Sequence, residues 1–467
     1  MTTVTLSLIS HTNVGKTTLA RTLLRRDVGD VRDQAHVTEV SEAYPLIETP
    51  EARLRLWDTP GFGDTRRLMR RLRHERDPLG WFLHQVWDRV TDRPLWCGQE
   101  AVRNIKEEAD VVLYLINASE EPTATGYVPL ELELLTWMDR PVLLLLNQAG
   151  GDAKRLENEW SGFAATWPVV RGVLSLDAFS RCWTEEGVLL ERVAALLEGG
   201  KRDALRSLAV AWNERNLATF RRCCDSIGRY LARAAADREI PTGSGEDPGT
   251  LERLAAALKF STIDKKRAMA ALNARLDEST AELMRGMIEA HGLEGESAAT
   301  IEKRVQDFQV TGPSGFDERS GAVAGAVVSG AIGGLAADVL SGGLSLGGGM
   351  IAGGILGALG GSAIARGYRW LGGDEEPSVG WTAEFLDQLA RQAVLRYLAV
   401  AHFGRGRGRY RDLEHPASWN EAVNAALEQD RDALRAQWTN ADPRRLAAVI
   451  DDATRAVLRR KIGDVPR

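Results

Sequence analysis

The ten residues Ser10-His-Thr-Asn-Val-Gly-Lys-Thr-Thr-Leu19 constrain this chain more than any other stretch. Before them, Val4 to Ile9 alternates branched apolar residues with Thr and Ser, the period of a strand; after them, Leu19 to Leu24 continues at helical spacing. A glycine-containing turn between a strand and a helix is the setting of a phosphate-binding loop. It commits the N-terminal part to an α/β fold of the P-loop NTPase kind, with a mostly parallel sheet covered by helices.

Residue types give that loop its chemistry. Backbone N–H groups across Asn13, Val14, Gly15, Lys16, Thr17 and Thr18 can curl around a phosphate at the positive end of the following helix. Lys16 then reaches the β- and γ-phosphates, the Thr17 hydroxyl suits Mg²⁺, and Gly15 lets the backbone approach closely. Ser10 stands where the pattern G-x-x-x-x-G-K-[ST] has its first glycine, so a small side chain must fit the turn. A chance Gly-Lys-Thr in a surface turn is the competing reading, and the flanking strand and helix argue against it.

A second motif follows at the expected distance. Arg53-Leu-Arg-Leu-Trp57 alternates as a strand and runs into Asp58-Thr-Pro-Gly61. An aspartate ending the strand beside the first is placed to hold Mg²⁺, and Gly61 can offer its N–H to a γ-phosphate. Between the motifs, Asp27 to Thr38 is polar. Thr38 is the candidate switch hydroxyl for the metal, or equally a plain strand-edge threonine.

Further along, Asp110 to Asn117 and Pro141 to Asn147 are continuous apolar runs of strand length, the mark of strands buried on both faces. The second ends in Asn147-Gln148-Ala149-Gly150. Val169 to Leu174 makes another strand, after which Ser175-Leu176-Asp177 either backs a nucleotide base or simply turns into a helix. The insertion from Asp64 to Glu108 holds two amphipathic segments, Arg66 to His74 and Gly80 to Arg89. They fit an effector or dimer contact that moves with nucleotide state, or basic helices packed on their own domain.

Together, Asn-Val-Gly-Lys-Thr-Thr-Leu and Trp-Asp-Thr-Pro-Gly resemble the TrmE/Era branch of GTPases, over roughly residues 1 to 180. The resemblance implies GTP as ligand, Mg²⁺ as cofactor and hydrolysis to GDP and phosphate, slow without an activator. It assigns catalysis to Lys16, Thr38, Gly61 and Asn13, metal binding to Thr17, Asp58 and Thr38, and base contacts to Asn147, Gln148, Ser175 and Leu176. It also implies that Phe62, where other GTPases carry a water-orienting Gln, cannot polarise the attacking water. Asn13 matches an asparagine that helps bind K⁺ in place of an arginine finger, and is otherwise a good turn former. Gln148 and Gly150 depart from the family's Asn-Lys-x-Asp. The carboxylate that reads guanine N1–H and N2–H is missing from its usual place, which leaves GTP against ATP open, with Asp152 as a substitute.

At 467 residues the chain exceeds one compact core. A net charge of −6 argues against wholesale nucleic-acid binding, and four cysteines without a C-x-x-C pair suit a reducing cytosol. The first strand begins so early that no signal peptide is expected. From Lys201 long amphipathic segments follow, Arg202 to Asp237 and Leu251 to His291, joined by Pro241 to Gly245. Ser320 to Ala365 is rich in Gly and Ala with Asp338 as its only charge. Its small residues recur every fourth position, the stripe of a glycine-zipper hairpin, and Ser320 to Ala337 and Val339 to Ala365 suit two membrane spans. A close-packed soluble hairpin is the alternative, since glycine is a poor helix former in water. This segment and His402-Phe-Gly-Arg-Gly-Arg-Gly-Arg-Tyr410 resemble the C-terminal region of bacterial GTPases carrying domain of unknown function 3482. The arginines 405, 407, 409 and 411 fit anionic lipid or phosphate, or a solvated turn.

The expected organisation is thus a P-loop GTPase domain over 1–200, a helical domain over 201–312, the Gly/Ala-rich hairpin over 313–370, and a helical region over 371–467, all-α after the first domain. The expected function is a nucleotide switch for a helical, membrane-associating C-terminal region, cytoplasmic or at the inner membrane. Guanine nucleotide, the membrane through 320–365, and a homodimer or protein effector are the expected partners; nucleic acid is not. The alternative is a membrane-acting or pore-like protein whose nucleotide module is regulatory and hydrolyses little.

Overall fold

The computed structural model describes residues 1–11, 14–24, 41–84, 92–122, 124–147, 153–176, 183–240, 262–292, 368–371, 378–402 and 417–462. These divide into two compact units, one holding Met1–Ala218 and the other Thr219–Val400 with the C-terminal helices.

The first unit runs β1 (Thr2–Ser10), α1 (Lys16–Leu24), β2 (Glu42–Glu48), β3 (Ala52–Asp58), α2 (Thr65–Leu72), α3 (Pro78–His84), α4 (Arg93–Glu107), β4 (Val111–Asn117), α5 (Val128–Thr136), β5 (Val142–Asn147), α6 (Ala153–Ala164), β6 (Val170–Ser175), α7 (Trp183–Leu196) and the opening turns of α8 (Gly199–Ala236). Its six strands are ordered β2-β3-β1-β4-β5-β6. All pairs are parallel except β2 with β3. Pro45 cannot donate to a ladder, and it lies in the edge strand β2, where the register shifts between Pro45 and Ile47.

The apolar runs explain the layering. In β4, Val111, Leu113 and Leu115 face one hydrophobic cluster while Val112, Tyr114 and Ile116 face another, and β5 divides its leucines the same way. The first cluster takes α1, α7 and the start of α8 through Leu19, Leu23, Leu189, Val193, Leu205, Leu208 and Trp212. The second takes α2 to α6, including Leu68, Phe82, Leu95, Leu132 and Trp160. A sheet buried on both faces by crossover helices is the doubly wound α/β arrangement. The basic segment after Asp64 packs on its own domain. Leu68, Met69 and Leu72 of α2 are buried, while Arg67 pairs with Asp92 and Arg73 with Glu133.

The second unit is mainly helical. The rest of α8 is followed by β7 (Arg238–Glu239), α9 (Thr262–Ala290), β8 (Tyr368–Leu371), β9 (Ser378–Trp381), α10 (Ala383–His402), α11 (Ala417–Gln429), α12 (Arg431–Asn440) and α13 (Pro443–Ile462). The expectation of a purely helical C-terminal region needs one correction, a small antiparallel sheet ordered β7-β9-β8. Strands of two and four residues, the first far from the other two in sequence, leave no periodicity to read. Helix packing is close: a Cβ on Gly228 of α8 would stand 2.4 Å from the Pro443 carbonyl oxygen and 2.8 Å from the Ala447 methyl. Phe220 and Tyr397 meet edge to face at 5.6 Å, and the Tyr230 and Thr280 hydroxyls are 2.9 Å apart. Among the described residues no helix is long and apolar enough to cross a membrane. The Gly/Ala-rich stretch 320–365, the linker 241–245 and arginines 405, 407, 409 and 411 lie outside the described residues.

Candidate nucleotide-binding site

Strand β1 lies between β3 and β4, so chain connections leave it in opposite directions, and ligands of open α/β sheets bind at such a point beyond the strand ends. The phosphate-loop motif occupies that point, between the end of β1 at Ser10 and the start of α1 at Lys16. Ser10 is buried, and its hydroxyl donates to the His11 carbonyl at 2.5 Å, so the side chain in the first-glycine position turns back on its own backbone.

Gly15 has φ +101°, a conformation that L side chains rarely adopt. A Cβ there would stand 2.9 Å from Asn147 Nδ2. That amide donates to the Val14 carbonyl at 2.9 Å, and Asn147 is fully buried. The asparagine singled out for base contact therefore braces the phosphate loop across the sheet. Thr18 is buried one turn further on, its carbonyl accepting from the Thr22 hydroxyl.

The register Leu8↔Asp58 brings the aspartate beside the loop. The Thr17 hydroxyl donates to Asp58 Oδ2 at 3.1 Å, whereas Asp58 Oδ1 is buried with no hydrogen-bond partner. Burial lowers the Lys16 ammonium from its ordinary pKa, with Asp58 opposing; burial likewise raises the Asp58 carboxyl, with Lys16 and the Thr17 hydroxyl opposing. An orphaned carboxylate oxygen beside a hydroxyl is a hard-oxygen donor set, and it fits Mg²⁺ held by few protein groups plus water and phosphate. No cluster of three or more His, Cys, Asp or Glu able to hold a metal occurs among the described residues.

The turn after Asp58 is pinned to β1. The Thr59 hydroxyl donates to the Leu8 carbonyl at 2.8 Å, and the Phe62 N–H donates to the Ser10 carbonyl at 3.0 Å. Gly61 is buried between them. The Phe62 ring is 1% exposed within the cluster containing Leu68, Met69 and Tyr114, so it anchors the turn and presents nothing to solvent.

Sequence reasoning missed a buried carboxylate. Glu131 of α5 is 0% exposed. It accepts from the Tyr114 hydroxyl at 2.7 Å and from the Thr65 hydroxyl at 3.0 Å, and it meets His11 Nδ1 at 2.6 Å. His11 stacks on Tyr127 with ring centroids 4.2 Å apart. One side chain thus joins the phosphate loop, the first residue of α2 and a central strand. A signal existed: Val128, Glu131, Leu132 and Leu135 share one helical face, which makes that glutamate an inward residue.

At the far end of the sheet, the Ser175 N–H donates to Glu157 Oε1 at 2.6 Å. Leu176 is buried and its N–H donates to the Leu146 carbonyl at 2.8 Å, extending the β5–β6 ladder. Asn13, Thr38, Gln148, Gly150, Asp152 and Asp177 lie outside the described residues. The structure therefore brings together Val14, Gly15, Lys16, Thr17, Asp58, Gly61 and Asn147 around one point, with Ser175 and Leu176 at the neighbouring strand end.

The pattern of the family described as "50S ribosome-binding GTPase" matches residues 5–148, and that described as "Domain of unknown function (DUF3482)" matches residues 170–463. The second match includes β6 and α7, which complete the first unit's sheet and its cover. No curated protein matches the chain. Solved structures similar to it include Era in complex with MgGDPNP and 16S ribosomal RNA, at 21% identity over 43% of this chain and 58% of that one, TM-score 0.31. Era from Aquifex aeolicus bound to GDP and AlF4⁻ is similar at 20% identity over 54% and 75%, TM-score 0.32. A probable GTP-binding protein engB is similar at 16% identity over 41% and 98%, TM-score 0.26. The chain thus spans little more than half of the first of these Era chains.

Proposed function

This chain belongs to the DUF3482 family and carries an HSR1-type GTPase domain at its N-terminus, and on that premise we propose that it binds GTP with Mg²⁺ and hydrolyses it to GDP and phosphate. The observation that carries the reading is the orphaned Asp58 Oδ1 beside Thr17, beneath a loop whose Gly15 has a left-handed backbone. Mg²⁺, when bound, supplies charge neutralisation between the phosphates. The chain's own residues do the rest. Loop N–H groups at the start of α1 hold the β-phosphate, and Lys16 gains in the phosphates the counter-charge that burial makes it need. Asp58 and Thr17 hold the metal, while Gly61 offers its N–H to the γ-phosphate. Positioning and charge stabilisation are most of what phosphoryl transfer requires.

The buried Phe62 ring supports a catalytic route without a side chain of the switch turn on the water. We place the activating charge at Asn13 as a K⁺ site, with Thr38 completing the metal shell, as in the TrmE/Era branch. Phosphate release in K⁺ against Na⁺ buffer tests this, and equal rates would remove it. Lys16→Ala is expected to abolish nucleotide binding; unchanged affinity in a titration would overturn the site.

The nucleotide state, on this reading, controls the helical C-terminal region of a bacterial cytoplasmic protein that meets the inner membrane through 320–365 and acts with a second copy or a protein effector. The net charge of −6 argues against wholesale nucleic-acid binding. Liposome flotation of the full chain with and without residues 320–365, measured beside phosphate release, checks it. Lipid binding without turnover would favour the alternative, a membrane-acting protein with a regulatory nucleotide module.

A further inference from the structure

We infer that Glu131 is a positioning residue for the γ-phosphate: it latches the switch turn to the phosphate loop and so sets how strongly a triphosphate is preferred over a diphosphate. The inference rests on the proposed use of GTP, in which Gly61 offers its N–H to the γ-phosphate. That N–H serves the phosphate only while the turn carrying it keeps a fixed place beside the loop.

The turn is closed onto the loop on both sides of Gly61. Before it, the Thr59 hydroxyl donates to the Leu8 carbonyl at 2.8 Å. After it, Phe62 pairs with His11 in a parallel bridge, its N–H on the Ser10 carbonyl at 3.0 Å. Further on, the Thr65 hydroxyl donates to Glu131 Oε1 at 3.0 Å, and the same oxygen meets His11 Nδ1 at 2.6 Å. One carboxylate oxygen therefore ties the first residue of α2 to the residue that follows Ser10. The other, Oε2, accepts from the Tyr114 hydroxyl at 2.7 Å and anchors the carboxylate to β4, a strand paired with both β1 and β5. The ion pairs of α2 lead away from the loop, Arg67 to Asp92 and Arg73 to Glu133. Packing alone does not call for a carboxylate here. Val128, Leu132 and Leu135 fill the same helical face with apolar side chains, and a buried charge is costly to desolvate. What the carboxylate adds is direction, since a satisfied buried polar network specifies one arrangement of the segments it joins. The opposing reading is that Glu131 only satisfies the polar groups around it.

Two hydroxyl deletions separate the readings, because each removes one donor from the same carboxylate. Thr65→Val removes the bond to the switch turn, whereas Tyr114→Phe removes the bond to a strand that its ladders already hold. GDP and the hydrolysis-resistant triphosphate GppNHp are competed against labelled GDP on the full chain, wild type and variants, with thermal melting of each. Both variants are expected to lower the melting temperature. Thr65→Val alone is expected to lower GppNHp affinity relative to GDP, by roughly 10-fold, the worth of a hydrogen bond to a charged group expressed as a smaller binding-competent fraction. Thr65→Ser, which keeps the hydroxyl, is expected to restore the ratio, and Thr65→Ala, which deletes it without adding a methyl, to match Thr65→Val. A ratio of GppNHp to GDP affinity unmoved by Thr65→Val and Thr65→Ala would overturn the latch, as would an equal change in Tyr114→Phe. A wild type that binds neither nucleotide would instead overturn the GTP reading itself, and the two failures are thus distinct.

Discussion

Truncating the buried carboxylate at Glu131 tests whether the network around it holds the phosphate loop to the switch turn. Glu131→Ala leaves the Tyr114 and Thr65 hydroxyls, 0% and 3% exposed as residues, without their acceptor. Each orphaned buried donor costs about 1–3 kcal/mol. His11, its side chain 29% exposed, can turn to water and adds little. Removal of a desolvated charge offsets part of the loss, which leaves a net destabilisation of about 2–4 kcal/mol. Hydrogen exchange of the β4 amides reads this in the first unit alone. A double-mutant cycle gives the sharper result. Tyr114→Phe is expected to destabilise the wild type, because it removes a bonded hydroxyl, and to stabilise the Glu131→Ala variant by about 1–2 kcal/mol, because it removes an orphan. Tyr114→Phe with the same cost in both backgrounds would refute the network.

Three further outcomes are expected. Gly15→Ala forces a left-handed backbone on a residue with a side chain and drives a Cβ against Asn147 Nδ2; a loss of about 2–4 kcal/mol of stability, together with loss of nucleotide binding in a titration, is expected. Gly228→Ala meets backbone atoms of α13 at 2.4 and 2.7 Å, so the helices must separate, at about 1–3 kcal/mol in urea unfolding. Burial pushes the Cys223 thiol up to about 12 from its ordinary 9.0, and Cys224 in the same direction. Both states hold the Cys223 proton below about pH 9; above it the unfolded chain loses the proton first, so stability falls with rising pH at about 1.4 kcal/mol per pH unit per thiol. Cys223→Ala should flatten that slope between about pH 9 and pH 11.

The sequence by itself determined the elements and the phosphate half of the site. Strand and helix around Ser10 to Leu19, the strand ending at Asp58, and the runs ending at Asn117 and Asn147 are local signals, because side-chain period and backbone constraint are written within a few residues. Their C-terminal ends gather at one edge because parallel strands with right-handed crossovers leave no other arrangement. Tertiary structure alone decided which partners the buried polar side chains meet. Helical spacing turns Glu131 inward, yet its partners His11, Thr65 and Tyr114 come from three distant segments. Glu157 likewise joins Ser175 across a helix and a strand. The brace that Asn147 makes is of the same kind, since its bond to Val14 spans 133 positions. Hydrogen bonds between segments far apart depend on register and packing, which no local pattern encodes. The phosphate loop was therefore legible in the sequence, whereas what braces it belongs to the folded chain.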